Sequence, residues 1–357
     1  MMFDPNHKHG TRILLIGATG YIGGSVLSRL LEHPSAETFE ITILVRSPEK
    51  AQLFKDNFDV DVVIGSNEDL GLVEELAENS HVVFSCADAD NLPAVKAILK
   101  GLRTRHATVG DLSTLIHTSG TGVLTSDDRG EFASSIVYHD DDPKQIESLA
   151  PTQPHRNVDL AIVEADKHGY VKTYIILPST IYGIASNPLV KAGIQNPISQ
   201  QIPKLIRVAL ERDGEAGMVG KGLSIWPSVH IDDISQLYIT LFDYIVNNPE
   251  TTPHGREGFY FGENGEHEWY EISKEIASVL FKLGKTKTQT EPTTFTKEEL
   301  VKYFGSEAAG YSYGTNARCR ANRSRSIGWK PKYTKEDMLA SIEPETRNIL
   351  DTSEFSG

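Results

Sequence analysis

Residues 12–31, RILLIGATGYIGGSVLSRLL, combine an apolar run, a glycine-rich turn and an amphipathic segment. Residues 12–17 are nearly all apolar, as in a strand that is buried on both faces of a parallel sheet. Ile22, Val26 and Leu30 then recur at i, i+4 and i+8, the spacing of one helix face. The stretch therefore predicts a buried strand, a tight turn and a helix in direct succession, which is the first unit of an open α/β sheet.

Further apolar runs of similar length follow at intervals that are too long for hairpins, and each has the pattern of a strand that is buried on both faces of a parallel sheet. They occupy residues 40–45, 60–65, 81–86, 114–119 and 172–177. Helical patterns lie between them, and this alternation predicts an α/β protein with a Rossmann-type doubly wound parallel sheet.

The alternation of strands and helices ends beyond about residue 183, and the predicted domain organisation follows from that change. We predict a nucleotide-binding Rossmann domain over 1–182. A smaller C-terminal α/β domain over 183–350 would lie on the substrate side and be partly interleaved with the last sheet strands. Residues 351–357 are expected to form a tail.

Composition narrows the class of protein. The chain is 39% hydrophobic and 24% charged, and no apolar run approaches the roughly 18–20 residues that a membrane span needs. A net charge of −14 argues against a nucleic-acid partner. Two cysteines, Cys86 and Cys319, imply no disulfide framework and favour a reducing compartment. We expect a cytoplasmic protein with a small-molecule partner, no nucleic-acid or membrane partner and no metal.

The glycine turn predicts a dinucleotide site. Gly17, Gly20 and Gly23 follow a strand and open a helix. In such turns the first glycine permits the bend, the second lets the backbone approach a pyrophosphate, and the third lets helix and strand pack closely. The free N–H groups at the start of the helix then face the phosphates. A glycine turn without a ligand is the alternative.

The end of the second strand bears on which dinucleotide binds. A carboxylate there would bind the ribose hydroxyls of NAD, whereas an arginine suits the 2′-phosphate of NADP. The sequence has Arg46 followed by Ser47, and no carboxylate at that position. NADP is therefore the predicted cofactor. If Arg46 is instead a solvated loop residue, the choice between NAD and NADP stays open.

Six segments spread over most of the chain resemble the extended and atypical short-chain dehydrogenase/reductase superfamily, in its epimerase/dehydratase and NmrA-like branches. They are GATGYIGG (17–24), VRSPEKA (45–51), HTSGTGV (117–123), LPSTIYG (177–183), VHIDDIS (229–235) and IGWKPKYTKEDML (327–339).

The resemblance implies a set of cofactor contacts and an oligomeric state. The turn residues Gly17, Thr19, Gly20, Tyr21 and Ile22 would contact the diphosphate. Cys86 and Ala87 would line the nucleotide, and Pro178 and Ile181 would flank the nicotinamide ribose. A homodimer formed through two helices per subunit is also implied, with a monomer as the alternative.

Catalysis in that superfamily uses a Ser or Thr on the fifth strand together with a Tyr and, four residues later, a Lys. Ser119 fits the first position, although it is equally a residue that ends a strand. The positions of the Tyr and Lys hold His155 and Asp159. Because residues four apart share a helix face, we predict a His155–Asp159 pair that donates a proton. A plain helix start is the alternative.

Two tyrosines are the other candidates for the missing pair. Tyr138 follows Ser119 in a loop that would fold over the nicotinamide, and it is a further candidate proton donor. Only Tyr270 has a lysine four residues later, Lys274. A chance match on a surface helix explains that spacing better.

Arginines concentrate near the C-terminus, at Arg318, Arg320, Arg323 and Arg325. Sugar-nucleotide epimerases of the superfamily hold a substrate diphosphate with such residues, and a solvated helix face is the other interpretation.

Three functions are considered, and the first is favoured. The first is an NADPH-dependent oxidoreductase that reduces a small carbonyl or conjugated organic substrate. The second is an epimerase, dehydratase or isomerase that uses bound NADP. The third is a non-catalytic NmrA-like sensor that binds NADP(H).

Overall fold

A seven-stranded parallel sheet forms the centre of the molecule. The structure is a computed structural model and describes residues 10–287 and 291–354. The strands of the described residues are β1 (Thr11–Ile16), β2 (Phe39–Val45), β3 (Asp61–Ile64), β4 (Val82–Ser85), β5 (Ser113–Thr118), β6 (Tyr138–His139), β7 (Val171–Pro178), β8 (Thr180–Tyr182), β9 (Gly217–Met218), β10 (Ile225–His230), β11 (Phe259–Gly262), β12 (Glu266–Glu268), β13 (Thr293–Thr294) and β14 (Cys319–Arg320). The order in the central sheet is β11-β7-β5-β4-β1-β2-β3.

Helices cover the sheet on both faces. The α-helices of the described residues are α1 (Tyr21–Leu31), α2 (Pro48–Asn57), α3 (Leu70–Glu78), α4 (Leu92–Val109), α5 (Pro143–Glu147), α6 (Arg156–Lys167), α7 (Pro188–Lys191), α8 (Gln201–Glu211), α9 (Ile231–Asn247), α10 (Trp269–Lys282), α11 (Lys297–Phe304), α12 (Glu307–Tyr311), α13 (Asn322–Ser326) and α14 (Lys335–Glu354). Short 3₁₀ turns lie at Ala36–Thr38, Thr121–Leu124, Gly255–Glu257 and Ser312–Gly314. α1 packs against α9, and α3, α4 and α6 pack side by side.

The six predicted strands of the first half are confirmed to within one or two residues, and so is the α/β class. One expectation about them is wrong. The third run is an edge strand rather than a strand buried on both faces, and Ile64 is 51% exposed. A strand at the end of a sheet has a neighbour on one side only, so an apolar sequence alone does not make it a central one.

The second half of the chain completes the sheet that the first half begins. β11 pairs with β7 in parallel, and α9 packs on α1. β10 and β12 of this half form a small sheet with β8, in the order β12-β10-β8, and two-stranded sheets join β13 to β9 and β14 to β6. The helices α8, α10 and α14 pack against one another. Since one hydrophobic cluster contains side chains from both halves, the predicted boundary near 182 is not a break in the core.

Two further observations concern the C-terminal helix and the search for membrane-spanning helices. α14 continues to Glu354, so 351–354 end a helix rather than belong to the predicted tail, and 355–357 lie outside the described residues. Within the described ranges, no helix is both long enough and apolar enough to cross a membrane.

Candidate functional site

A cleft of about 710 Å³ lies at the carboxyl ends of the central strands. Ligands of open α/β sheets bind at this edge, where the strand order reverses on either side of β1. The residues that line the cleft are Gly17, Thr19, Gly20, Tyr21, Ile22, Leu44, Arg46, Gly65, Ser66, Asn67, Glu68, Cys86, Ala87, Asp88, Asn91, Ser119, Pro178, Ser179, Ile181, Asn196, Ile198, Ser199, Gln200 and Gln201.

The glycine turn has the geometry of a phosphate cradle. Gly17 has φ +100°, and a Cβ there would lie 2.7 Å from the backbone oxygen of Cys86. A Cβ on Gly23 would lie 2.2 Å from the oxygen of Gly17, so α1 packs directly on the turn. Gly20 is the N-cap of α1 and has no side chain to accept from the first turn. The free N–H groups of that turn therefore suit an anionic group, and the turn fits a dinucleotide.

Of the residues predicted to contact the cofactor, two do not line the cleft, and Arg46 at the end of the second strand does. Arg46 is exposed, lines the cleft and makes no ion pair or hydrogen bond with the described residues. Ser47 lies outside the cleft lining, and its hydroxyl accepts from Lys50 N to cap α2. Gly23 also lies outside the lining, because its place is between helix and turn. The other predicted cofactor residues all line the cleft.

A segment between α7 and α8 closes one side of the cleft, and sequence reasoning missed it. Asn196 N donates to Thr19 O across 3.0 Å. Gln195 Nε2 donates to Tyr21 O and Ser25 Oγ at 3.0 and 2.9 Å. Tyr21 Oη donates to Gly183 O at 2.5 Å. The Asn196 and Gln195 bonds hold the segment on the glycine turn, and the Tyr21 bond ties α1 to the end of β8. No local pattern in residues 193–200 predicts contacts with residues so far away in sequence.

Ser119 and Asp159 form one polar unit at the inner end of the cleft. Ser119 follows β5 and lines the cleft, and its Oγ donates to Asp159 Oδ2 across 3.2 Å. Asp159 lies in the first turn of α6 with none of its surface exposed, and its Oδ1 has no partner among the described residues. Burial raises the pKa of Asp159 to about 7, although the Ser119 hydrogen bond and the Arg156 charge act in the opposite direction.

His155 makes a different pair from the predicted one. It is the N-cap of α6, with φ +64°, and its Nδ1 lies 2.8 Å from Asp90 Oδ1, which also accepts from His155 N. The expected His155–Asp159 pair is therefore wrong. Because the His155 backbone is left-handed rather than helical, its side chain leaves the helix face on which Asp159 lies. A Cβ added to Gly122 would lie 3.1 Å from His155 Nε2, so the ring packs closely on the loop that contains Gly122.

Buried polar atoms without partners cluster around these two pairs. Arg156 Nε and Nη1, Thr121 Oγ1 and His117 Nε2 have none among the described residues. Burial lowers the pKa of His117 to about 3, so its ring is neutral at ordinary pH. Unsatisfied buried polar groups are costly, and these atoms lie behind the part of the cleft that Ser119 lines.

Two tyrosine candidates lie elsewhere. Tyr138 is in β6, which pairs with β14, and it does not line the cleft. The expectation that its loop folds over the nicotinamide position is not met. Tyr270 Oη donates to Glu291, and Lys274 Nζ donates to Tyr270 Oη on an exposed face of α10. The interpretation of that spacing as a surface match agrees with this geometry.

The C-terminal arginines face carboxylates of their own chain. Arg318 and Arg320 both bond Glu266, and Arg325 bonds Glu263. Arg323 is buried, and its Nε donates to Asp140 O. Arg320 and Arg325 line a separate cavity of about 350 Å³ with both glutamates. The solvated helix face is therefore not what the sequence forms here, and the cations are largely neutralised.

Comparison with known proteins identifies the nucleotide-binding part of the chain. Residues 17–136 match the model of a family described as NAD(P)H-binding. This range holds the glycine turn, Arg46 and Ser119.

Relatives extend the comparison to the whole chain. An oxidase of an Acremonium species, ucsJ, is 29% identical over 341 residues, which cover 90% of this chain and 92% of that protein. Among solved structures, UDP-glucose 4-epimerase of Thermotoga maritima with UDP-glucose superposes with a TM-score of 0.63 at 14% identity, covering 95% of this chain and 100% of that one. dTDP-glucose 4,6-dehydratase of Bacillus anthracis in complex with NAD gives 0.62 at 19%, covering 95% and 97%. The predicted resemblance to the epimerase/dehydratase fold is confirmed.

Proposed function

We propose that this chain, which has an NAD(P)-binding domain and the fold of the epimerase and dehydratase enzymes, is an NADP(H)-dependent oxidoreductase that reduces a small carbonyl or conjugated organic substrate. The observation that carries the proposal is one cleft lined at once by the glycine turn, by Arg46 and by Ser119. A whole-length relative named as an oxidase supports redox chemistry for the chain.

The cofactor would be held along the length of the cleft. Gly17, Thr19, Gly20, Tyr21 and Ile22 would hold the diphosphate at the N-terminus of α1, and Arg46 would bind the 2′-phosphate. Cys86, Ala87, Pro178 and Ile181 would line the remainder. When bound, the nicotinamide supplies the hydride, and the protein contributes binding, orientation and a proton.

The substrate end of the cleft has one donor in its lining, Ser119, and a second candidate behind the lining, His155. The Ser119 hydroxyl faces the cleft, and the His155 ring packs over the loop that begins at Gly120. Asp90 orients the ring through Nδ1, so Nε2, which faces the Gly120–Gly122 loop, would be the nitrogen left to donate to a ligand. A carbonyl oxygen bound by Ser119 and His155 would be polarised for hydride addition. Tyr138 has no role in this arrangement.

Binding and turnover test the proposal separately. NADPH and NADH titrated into the protein should give the tighter dissociation constant for NADPH, with R46A as the matched variant. NADPH oxidation should follow addition of phenanthrenequinone or of an aldehyde from a broad panel, and S119A should reduce that rate. Tight binding with no oxidation of NADPH across the panel would contradict the enzyme and support the sensor.

The epimerase alternative receives less support. It needs free arginines for a substrate diphosphate, whereas Arg318, Arg320 and Arg325 bond Glu263 and Glu266. A diphosphate would have to compete with these carboxylates, which makes the pocket a poorer anion site.

A further inference from the structure

Asp159 lies behind Ser119 as a buried carboxyl whose oxygens have one hydrogen-bond partner among the described residues. Ser119 Oγ lies 3.2 Å from its Oδ2 and also reaches the cleft, whereas Asp159 itself is fully buried. Its Oδ1 has no partner among the described residues. A carboxylate buried in this way is costly, and a carboxylic acid, which carries one proton and no charge, suits the position better.

We propose that Asp159 holds the exchangeable proton of this site and passes it through the Ser119 hydroxyl to the oxygen of the bound substrate. The inference rests on the proposed oxidoreductase function. It makes Asp159 a residue that acts through Ser119, and it makes Ser119 the group that protonates the substrate.

The charges around Asp159 are consistent with a proton held there near neutral pH. Arg156, on its own helix, favours the ionised form but makes no ion pair with it, and Asp90, in the loop after β4, opposes ionisation. His155 is engaged by Asp90, and His117 on β5 is neutral. Burial is the largest influence, and it raises the pKa of Asp159 to about 7.

The transfer balances without a further reactant. With a reduced nicotinamide bound, hydride addition to the carbonyl carbon would move the C=O π electron pair to oxygen. In the protonated state that the relay needs, Asp159 Oδ2–H would donate to Ser119 Oγ across the same 3.2 Å, and the Ser119 hydroxyl, which donates to Asp159 when that carboxyl is ionised, would turn to the substrate. The substrate oxygen would then take the proton of Ser119 Oγ–H while Ser119 takes the proton of Asp159, so an alcohol and a carboxylate result. After the product leaves, water in the cleft returns a proton to Asp159 through the same hydroxyl.

In this scheme His155 positions the substrate, whereas Asp159 supplies the proton. Its ring nitrogen would donate to the substrate oxygen and position it, because Asp90 fixes its orientation. Loss of His155 should therefore raise KM more than it lowers kcat, whereas loss of the Asp159 proton should lower kcat with little change in KM.

Infrared spectroscopy of the protein without cofactor tests the held proton directly. The carbonyl stretch of protonated carboxyl groups is followed as a function of pH in the wild type, D159N and E345Q. Glu345 is a second buried carboxyl, and burial raises its pKa to about 7 as well. D159N should lose one band that titrates near neutral pH, and E345Q should lose a different one.

The S119A variant tests the direction in which the midpoint of that titration moves. The Ser119 hydrogen bond lowers the pKa of Asp159, so S119A should move the midpoint of the Asp159 band upward. A spectrum of D159N identical to that of the wild type, or an unmoved midpoint in S119A, would overturn the inference. Thermal unfolding confirms that each variant is folded.

Single-turnover reduction of phenanthrenequinone by bound NADPH tests the transfer. The wild-type rate should fall as pH rises through about 7, the pKa of Asp159. D159N should lose roughly 100-fold or more in rate together with that pH dependence, and E164Q, an exposed change on the same helix, should keep both. A wild-type rate and profile in D159N would refute the relay. If no carbonyl is reduced at all, the oxidoreductase proposal fails, and the infrared titration still decides the proton on Asp159.

Discussion

Asp90 Oδ1 lies 2.8 Å from His155 Nδ1 and also accepts from the His155 backbone N–H, so one carboxylate fixes both the ring and the start of α6. The φ of +64° at His155 is uncommon for a residue with a side chain. Backbone strain of this kind is found at functional sites when the surroundings enforce it. Asp90 supplies part of that enforcement here.

The first prediction concerns this pair. D90A should lower kcat/KM for NADPH-dependent reduction roughly tenfold, because the ring loses its orientation while the rest of the cleft stays intact. D90N keeps an acceptor for the backbone N–H and should lose less. Steady-state kinetics of D90A, H155A and the double variant form a cycle, and the double variant should be no slower than H155A. Additive losses would show that Asp90 acts elsewhere.

Arg46 gives the second prediction. Hydrogen bonds to a charged group contribute about 1.5–3 kcal/mol, so R46A should weaken NADPH binding roughly 10- to 150-fold and leave NADH nearly unchanged. Isothermal titration calorimetry with both cofactors measures the difference. K55A removes an exposed cation at the other end of α2 and should change neither constant. Equal weakening of both cofactors in R46A would argue against a 2′-phosphate contact.

The glycine turn with Arg46 and the His155 pair show which features could be predicted from the sequence and which could not. Arg46 and the glycine turn were predictable because strand, turn and helix are contiguous, and their geometry follows from local sequence. The His155–Asp159 pairing was not, because it assumed helical backbone at His155. The actual partner, Asp90, lies in the loop between β4 and α4, and the packing of α6 against α4 and β7 brings the two together.

The third prediction tests the segment that the sequence did not reveal. Gln195 bonds Tyr21 O and Ser25 Oγ, and a Cβ on Gly24 would lie 2.5 Å from Gln195 Cδ. Q195A removes the bonds and G24A displaces the side chain, so both should shorten the residence time of NADPH severalfold. Stopped-flow displacement measures that time. Gln195 Oε1 also accepts from Asn187 Nδ2 at 2.8 Å, so Q195A removes three hydrogen bonds. At about 0.5–1.5 kcal/mol each, it should lower the free energy of unfolding by about 1.5–4.5 kcal/mol. An unchanged residence time in both variants would show that the segment does not cover the cofactor.

The last prediction concerns Glu345, whose Oε1 accepts from Gly183 N and Ser341 Oγ while Oε2 is buried without a partner among the described residues. Burial raises its pKa from 4.5 to about 7 in the folded protein. The folded state therefore binds more protons than the unfolded state between these values, and stability is lost as pH rises from about 4.5 to about 7.

E345Q cannot ionise and keeps an acceptor for Gly183 N, so its stability should fall less over this range. At about 1.4 kcal/mol per pKa unit, the difference between the two proteins should change by roughly 3 kcal/mol between about pH 4.5 and about pH 8. Urea unfolding at a series of pH values measures it. Asp159 and Asp140 also have raised pKa values, but both are present in the two proteins and largely cancel in the comparison. Parallel stability curves for the wild type and E345Q would mean that Glu345 ionises freely in the fold.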